Sequence, residues 1–446
     1  VHDPADELRG SLSRVQPIAA FGSLLLTLAL VLARPNVGRF GPLNPVLCAL
    51  PGLLVMLATG VLVPGDLVRA MGVLWRPLLT VAAIMATTSV AHRLGIFDRV
   101  TRSIEIRTRA AVPYAFATVY VIGAITSAVF NNDAAILLLT PIVVPVIRRL
   151  YPRRAAYLVV PFSFAVFMSA GVAPLCTSNP MNLVVAEHAG LGFNAYAARM
   201  LPVALAGSIV SYAMLRLVFR KDLEDAIPAT GNEQGSLLPM DPTPRAVLAV
   251  VVAMFSAYPI LSYFDAPVWI AAVAGAVLAS GFALRDGAVT PPIIVSGVAW
   301  DVLAFLFCIY LTALGLENVG LTTTLGHAYA LSDAPAVQLA LIGGISALGS
   351  AILNNHPMGA LNALVVGTMP GDAKWRTLAA LIGGDLGPRL LPMGSLAGLL
   401  WIEMARRLGV EIRVKDFVRT GVLVTVPALA VSIGVLWLEQ LLFGVG

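Results

Sequence analysis

Apolar stretches long enough to cross a bilayer recur along the whole chain: Pro17–Ala33, Val46–Val63, Leu201–Phe219, Ala246–Phe264 and Gly421–Phe443. Each approaches the ~20 residues a helix needs to span a hydrocarbon core of about 30 Å. Composition agrees. Of 446 residues, 58% are apolar and only 12% charged, with a mean hydropathy of +0.87, whereas soluble domains carry about a quarter charged residues. The expected fold class is an all-α polytopic membrane protein, with lipid as its main solvent. A pI near 9.3 then reads as arginine-rich cytoplasmic loops, and no nucleic-acid partner is expected. The first sixteen residues are polar and no small-residue cleavage site follows the first apolar run, so no cleavable signal peptide is expected. No Walker-type phosphate loop occurs, so the chain is not expected to act as an enzyme on ATP, and it needs no cofactor.

The chain reads as one unit used twice. Ser127-Ala-Val-Phe-Asn131-Asn132 recurs as Ser350-Ala-Ile-Leu-Asn354-Asn355, an offset of 223 residues, which is half of 446. Trp75 matches Trp300, and Leu94-Gly95-Ile96 matches Val319-Gly320-Leu321, both at an offset of 225. Pro174-Leu-Cys-Thr-Ser178-Asn179 has its counterpart in Pro388-Arg-Leu-Leu-Pro392-Met-Gly-Ser395. Weakly similar repeats of this kind are typical of secondary transporters. The expected division is residues 1–220, a hydrophilic connection over 221–245, and residues 246–446.

Charge placement gives the threading. The apolar stretch Val112–Ile147 would be roughly 54 Å long as one helix, too long for a single crossing. Arginines flank both its ends: Arg93, Arg99, Arg102, Arg107 and Arg109 before it, Arg148, Arg149, Arg153 and Arg154 after it. Positive residues mark the cytoplasmic side. A segment that starts and ends there, with Asn131-Asn132-Asp133 at its middle, predicts a re-entrant hairpin over about 110–147. Ten spans and two hairpins follow, with both termini outside. Of the 29 Lys and Arg, 21 then lie in cytoplasmic loops and 7 outside, while Arg389 is within the membrane. Five spans per half is an odd number, so the second repeat is inverted. Its hairpin, about 334–370, opens outward, after a loop, Glu317–Ser332, that has no Lys or Arg.

Irregular backbone at membrane depth must line a cavity or be buried in protein. Four places force it: the tips at Asn131-Asn132-Asp133 and Asn354-Asn355-His356-Pro357, and two broken helices. The first broken helix spans about 155–189, with its break from Gly171 to Pro180. The second spans about 377–407, with its break from Gly383-Gly-Asp385-Leu-Gly387-Pro388 through Pro392-Met-Gly394-Ser395. Inverted symmetry brings a tip and a break from each half together near the midplane, where half-helix ends offer free N–H and C=O groups. The expected lining is amide and hydroxyl: Asn131, Asn132, Thr177, Ser178, Asn179, Asn182, Asn354, Asn355 and Ser395. Amides both donate and accept hydrogen bonds, which suits a neutral polyhydroxylated solute. The plainer role is helix capping, which Asn and Ser favour.

Asp133 and Asp385 are the two carboxylates in this chamber. Ionised groups within a bilayer cost about 2.5–3.5 kcal/mol on insertion scales and usually serve as ion or proton sites, so both are candidate proton-coupling residues. The alternatives are that Asp133 caps its half-helix and that Asp385 pairs with Arg389, four residues on. Arg389 is expected to be a structural counter-charge. His356 could titrate at physiological pH or serve as a hydrogen-bonding spacer. Glu187, His188 and His327 read as solvated interfacial residues. Three scattered cysteines make no metal cluster; Cys176, beside Ser178, is the one conceivable soft ligand, while Cys48 and Cys308 read as filler.

With those residues in place, the sequence resembles the arsenite/antimonite efflux permeases (ArsB-type) of the ion transporter superfamily. The resemblance rests on Asn132-Asp133-Ala-Ala-Ile-Leu-Leu-Leu-Thr-Pro-Ile-Val143, Ser178-Asn-Pro-Met-Asn182, Gly192-Phe and Arg199-Met-Leu-Pro202. It continues through Asn354-Asn355-x-Pro357, Asp385-Leu-Gly-Pro-Arg389, Pro392-Met-Gly-Ser-Leu-Ala397 and Phe417-x-Arg419-Thr-Gly421. It implies a prokaryotic plasma (inner) membrane protein that exports trivalent arsenic and antimony hydroxides in exchange for protons, conferring metalloid resistance. It further implies a scaffold region beside an elevator-like transport region and, in some systems, a separate cytosolic arsenite-stimulated ATPase. Asn131 stands where the pattern has a small residue, and His356 where it has an apolar one. Two rival readings remain: a sodium/proton antiporter of the same superfamily and, more remotely, an intramembrane aspartyl protease using Asp133 and Asp385.

Overall fold

The computed structural model describes residues 4–33, 35, 43–96, 99, 111–224 and 240–444. Arg102, Arg107 and Arg109, and residues 225–239 of the hydrophilic connection, lie outside the described residues. Every regular element among those described is helical. The first half holds α1 (Pro4–Ala33), α2 (Pro45–Ala58), α3 (Pro64–Arg93), α4 (Val112–Val129), α5 (Asn132–Leu150), α6 (Ala155–Ser169), α7 (Pro180–His188) and α8 (Phe193–Val218). The second holds α9 (Pro242–Tyr263), α10 (Trp269–Arg285), α11 (Pro291–Ser296), α12 (Trp300–Asn318), α13 (Leu321–Tyr329), α14 (Pro335–Leu353), α15 (Asn355–Thr368), α16 (Ala373–Leu386), α17 (Leu396–Arg407) and α18 (Val414–Phe443).

The two series run in parallel. α4–α5 and α14–α15 are the hairpins; α6–α7 and α16–α17 are the broken helices; α8 and α18 close each half. Counting each broken helix once, taking α11 and α12 together and leaving aside the nine-residue α13, gives ten crossing elements and two re-entrant hairpins, the arrangement expected from the sequence. Among the described residues, seven helical segments are long and apolar enough to cross a membrane: α3, α4, α8, α9, α11–α12 taken together, α14 and α18. Shorter apolar segments lie in α1, α2, α6 and α10. The halves interlock through equivalent elements, α8 packing along α18 and α3 against α12.

Two boundaries differ from the reading of apolar runs. The run Val46–Val63 is not one span: α2 ends at Thr59, Gly60 takes a left-handed conformation (φ 69°), and α3 starts at Pro64. α3 is then a single 30-residue helix through Trp75, whereas its partner near Trp300 is split between α11 and α12. A Cβ on Gly297, in that split, would overlap Ser89 of α3, so the break sits where the two equivalents cross closely.

The second hairpin's returning limb is sheathed in protein, as irregular backbone beside it at membrane depth requires. Every residue from Asn355 to Val366 is buried. α14, on the other limb, shows Leu348 and Ile352 to lipid, 60% and 56% exposed. A second apolar core, with Phe164, Phe167, Trp401 and Phe417 in ring contact, joins α6 to α17 and α18.

Candidate functional site

Both hairpins turn at their asparagines. α4 ends at Val129 and α5 begins at Asn132; α14 ends at Leu353 and α15 begins at Asn355. Asn354 holds φ 80° and ψ 149°, a region nearly reserved for glycine. Its side chain compensates, Oδ1 accepting from the His356 backbone N–H at 3.3 Å and Nδ2 donating to the Met393 carbonyl at 3.3 Å. Asn354→Ala should lower stability by about 2–4 kcal/mol through strain plus a lost cap, and Asn354→Gly by only about 1. Thermal unfolding in detergent checks the order of the two variants.

The broken helices re-start in the same way. Pro180 follows Asn179, whose Oδ1 accepts from Met181 N–H at 3.0 Å. Leu396 follows Ser395, whose Oγ accepts from Gly398 N–H at 2.9 Å. The capping expected of these residues therefore holds for Asn179, Ser395 and Asn354. It consumes only their acceptor atoms. The Asn179 amide still donates elsewhere, to Asp385.

One cavity of about 30 Å³ collects pieces of all four irregular places. Asn132 comes from the first tip, Asn355 from the second, Asn179 from the first break, and Asp385, Pro388, Arg389 and Ser395 from the second. Ile136, Phe167, Ala170 and Ala397 close its apolar side. Half-helix N-termini converge here, α5 at Asn132, α7 at Asn179, α15 at Asn355 and α17 at Ser395, each carrying partial positive charge and free N–H groups.

Other nominated residues form a second layer. Asn182 donates to Asp385 Oδ2 and to the Tyr196 hydroxyl, at 2.8 and 3.0 Å. Ser178 Oγ donates to the Ala128 carbonyl at 2.6 Å, fixing the break to the end of α4. Ser127 donates to Asn132 Oδ1, and Asn132 Nδ2 reaches the Gly171 carbonyl at 3.4 Å. Asn131 and Thr177 are buried without lining the cavity. Asn355 Oδ1 is buried with no protein partner.

Asp385 is not paired with Arg389. Its carboxylate accepts from Ala173 N–H, Asn179 Nδ2 and Asn182 Nδ2, all at 2.8 Å, so every partner comes from the first half's broken helix, at its break or in the first turn of α7. The i, i+4 pairing fails because α16 stops at Leu386 and a 3-10 turn over Gly387–Arg389 swings the arginine off that face. Arg389 instead donates to the Met168 carbonyl at 2.6 Å and Ser211 Oγ at 3.1 Å. It thus serves the C-terminal end of α6, where partial negative charge collects. The break itself is shorter than expected: Gly383 and Gly384 lie inside α16, and irregular backbone begins at Gly387. A Cβ on Gly383 or Gly387 would overlap the Gly343 or Ala347 carbonyl of α14. The glycines serve close helix packing.

The Asp133 side chain lies outside what the structure describes; its backbone is in the first turn of α5. His356 is buried, its Nδ1 3.1 Å from Asn354 Oδ1 and its ring edge-on to Phe305, and it does not line the cavity. Cys176 faces a different cavity, with Arg76, Thr80 and Glu187. Among the described residues no three His, Cys, Asp or Glu side chains cluster to hold a metal. Residues not nominated from the sequence also contribute, above all Tyr196, which donates to the Ala173 carbonyl at 3.0 Å behind Asp385. Nothing in the local sequence around Tyr196 signals that contact.

The fold is shared with the YdaH transporter of Alcanivorax borkumensis. The two match with a TM-score of 0.54 at 14% identity, over 96% of this chain and 99% of that one. Sequence relatives are closer. An arsenical pump membrane protein of Escherichia coli (strain K12) is 30% identical over 421 residues, covering 93% of this chain and 97% of the relative. One from Yersinia enterocolitica is 31% identical over 427 residues, with the same coverage. The family model for the arsenical pump membrane protein ArsB matches residues 18–439. A match over nearly the whole chain, on a fold whose two tips and two breaks meet at one polar cavity, places this multi-pass membrane transporter in the ArsB family of arsenical pump membrane proteins.

Proposed function

We propose that the chain exports trivalent arsenic, and antimony by the same route, as neutral hydroxides in exchange for protons across a prokaryotic inner membrane. The observation that carries this reading is the composition of the central cavity. Amides, a hydroxyl, a guanidinium and helix N-termini surround the one described carboxylate, which suits a compact solute that both donates and accepts hydrogen bonds. An uncharged solute cannot be driven by its own charge, so net export needs a coupled gradient, and Asp385 is the group at the cavity that can carry a proton. Asp133 is the second candidate, by its position at the first tip. The hairpins and broken helices form the transport region and the remaining helices its scaffold, with both termini outside.

The cavity argues against sodium. A hard cation takes a shell of oxygen ligands; here both oxygens of Asp385 are already engaged by N–H donors and a guanidinium shares the wall. The test is uptake of trivalent arsenic and antimony into everted vesicles, with and without an imposed pH gradient. Acid-inside vesicles should accumulate both metalloids, and collapse of the gradient should stop accumulation. Sodium-dependent proton movement without metalloid uptake would replace this reading with the antiporter.

Sulfur chemistry has no part in the proposed route. Replacing Cys48, Cys176 and Cys308 together should leave metalloid uptake within about threefold of wild type, since volume-conserving core changes cost under about 1.5 kcal/mol. Complete loss in a well-folded cysteine-free protein would mean that a thiolate handles the solute.

A further inference from the structure

Arg389 is 2% exposed and forms no ion pair with the described residues. Its two terminal nitrogens are engaged, one by the Met168 carbonyl and one by Ser211 Oγ. Its Nε is buried with no partner, although the residue lines the central cavity. Asn355 lines the same cavity, and its Oδ1 is likewise buried and unpartnered. Two residues that line one small chamber therefore carry an unmet donor and an unmet acceptor, and leaving either unsatisfied is costly. The packing preserves this arrangement: a Cβ on Gly171 would stand 2.9 Å from Arg389 Nη2, so that position has no room for a side chain while the guanidinium stays in place.

A guanidinium kept inside a membrane protein without a direct ion pair among the described residues is expensive, and helix-end capping at Met168 occupies only part of its fork. We propose that Arg389 is a direct solute contact and specificity determinant: its Nε donates a hydrogen bond to one hydroxyl oxygen of the bound hydroxide while Asn355 Oδ1 accepts a hydrogen bond from another. This rests on the functional reading above and names what recognises the solute within it. Arginine and lysine are not interchangeable in this role, because Nε belongs to a rigid planar fork and an ammonium has no equivalent atom. A solute lacking a hydroxyl donor beside a hydroxyl acceptor satisfies one partner at most.

The test uses the full-length protein in everted vesicles, with sodium arsenite as the probe under a fixed pH gradient, and thermal unfolding of the same purified variants. Arg389→Gln and Arg389→Lys are each expected to raise the arsenite concentration for half-maximal uptake by tenfold or more. Arsenite protection against unfolding should weaken in parallel. Gly171→Ala, which presses on the guanidinium without removing it, should shift half-saturation the same way by a smaller factor. Asn355→Asp, which keeps an acceptor, should retain more affinity than Asn355→Leu. Unchanged half-saturation in both arginine variants, with only the maximal rate or melting temperature lowered, would make Arg389 a structural cap and overturn the proposal. Wild-type vesicles that take up no arsenite would instead overturn the functional reading, and this inference with it.

Discussion

Everted vesicles carrying Asp385→Asn are expected to take up no more arsenite under a pH gradient than vesicles lacking the protein. Two losses combine. The substitution removes the one described carboxylate at the cavity, and with it the group able to exchange a proton for the solute. It also turns an acceptor facing three donors at 2.8 Å into an amide with a single acceptor atom. With the amide oxygen in the Oδ2 position, Ala173 N–H and Asn182 keep their acceptor, while the bond from Asn179 to Oδ1 fails and two N–H donors are left facing each other. Losing a hydrogen bond to a charged group costs about 1.5–3 kcal/mol. Those bonds tie the second half's α16 to the first half's break, so the variant should also melt earlier. Asp385→Glu separates the effects: it keeps the proton site but displaces it, and should retain slow gradient-driven uptake where Asp385→Asn has none. Normal pH-driven uptake by folded Asp385→Asn would remove Asp385 from the coupling mechanism.

Gly387→Leu should leave little folded protein in the membrane. At Gly387 an added Cβ meets the Ala347 carbonyl and the Ser350 Cβ, and at Gly383 the Gly343 carbonyl and the Ser346 Cβ. These are backbone contacts with no rotamer to relieve them, in a helix pair that depends on close approach. Even alanine at either site should cost about 1–3 kcal/mol, the usual range for overpacking. Gly384 is the internal control. It lies between them in sequence but faces open space, with Ser350 Oγ at 4.0 Å as its nearest neighbour. Gly384→Ala should therefore be neutral, or more stable by up to about 1 kcal/mol through helix propensity. Equal tolerance at all three positions, read by fluorescence-detected size exclusion and thermal unfolding, would contradict the packing account.

The elements that spoke in the sequence are those whose cause is local. Asn131-Asn132 and Asn354-Asn355 stand where a backbone too long for one crossing must turn. Pro180 sits where a helix re-starts, because proline suits a first helical turn, and Pro392 opens the 3-10 turn that leads into α17. Arginine flanks fixed the hairpin against the alternative of a single long helix. What stayed hidden depends on distant partners. Asp385 finds Ala173, Asn179 and Asn182 about two hundred residues upstream, and Arg389 finds Met168 and Ser211. The four-residue spacing of Asp385 and Arg389 suggests a pair only while the helix continues, and it does not continue past Leu386. Gly383 looked like a helix breaker because glycine is weak in helices; its packing role needs the carbonyl of α14 that faces it. Cys176, adjacent in sequence to Thr177 and Ser178, turns toward another cavity, since neighbours in an irregular turn do not share a direction.

The central claim is that the two tips meet. It is tested most directly by placing cysteines at Asn132 and Asn355 in a cysteine-free background, with a protease site inserted within residues 225–239. Short bifunctional thiol reagents spanning a few ångströms are then applied in native membranes. Cleaved halves that run together on a denaturing gel, with cross-linking slowed by a saturating solute, are the predicted result. Halves that separate with every reagent, including ones spanning 20 Å or so, would contradict the account.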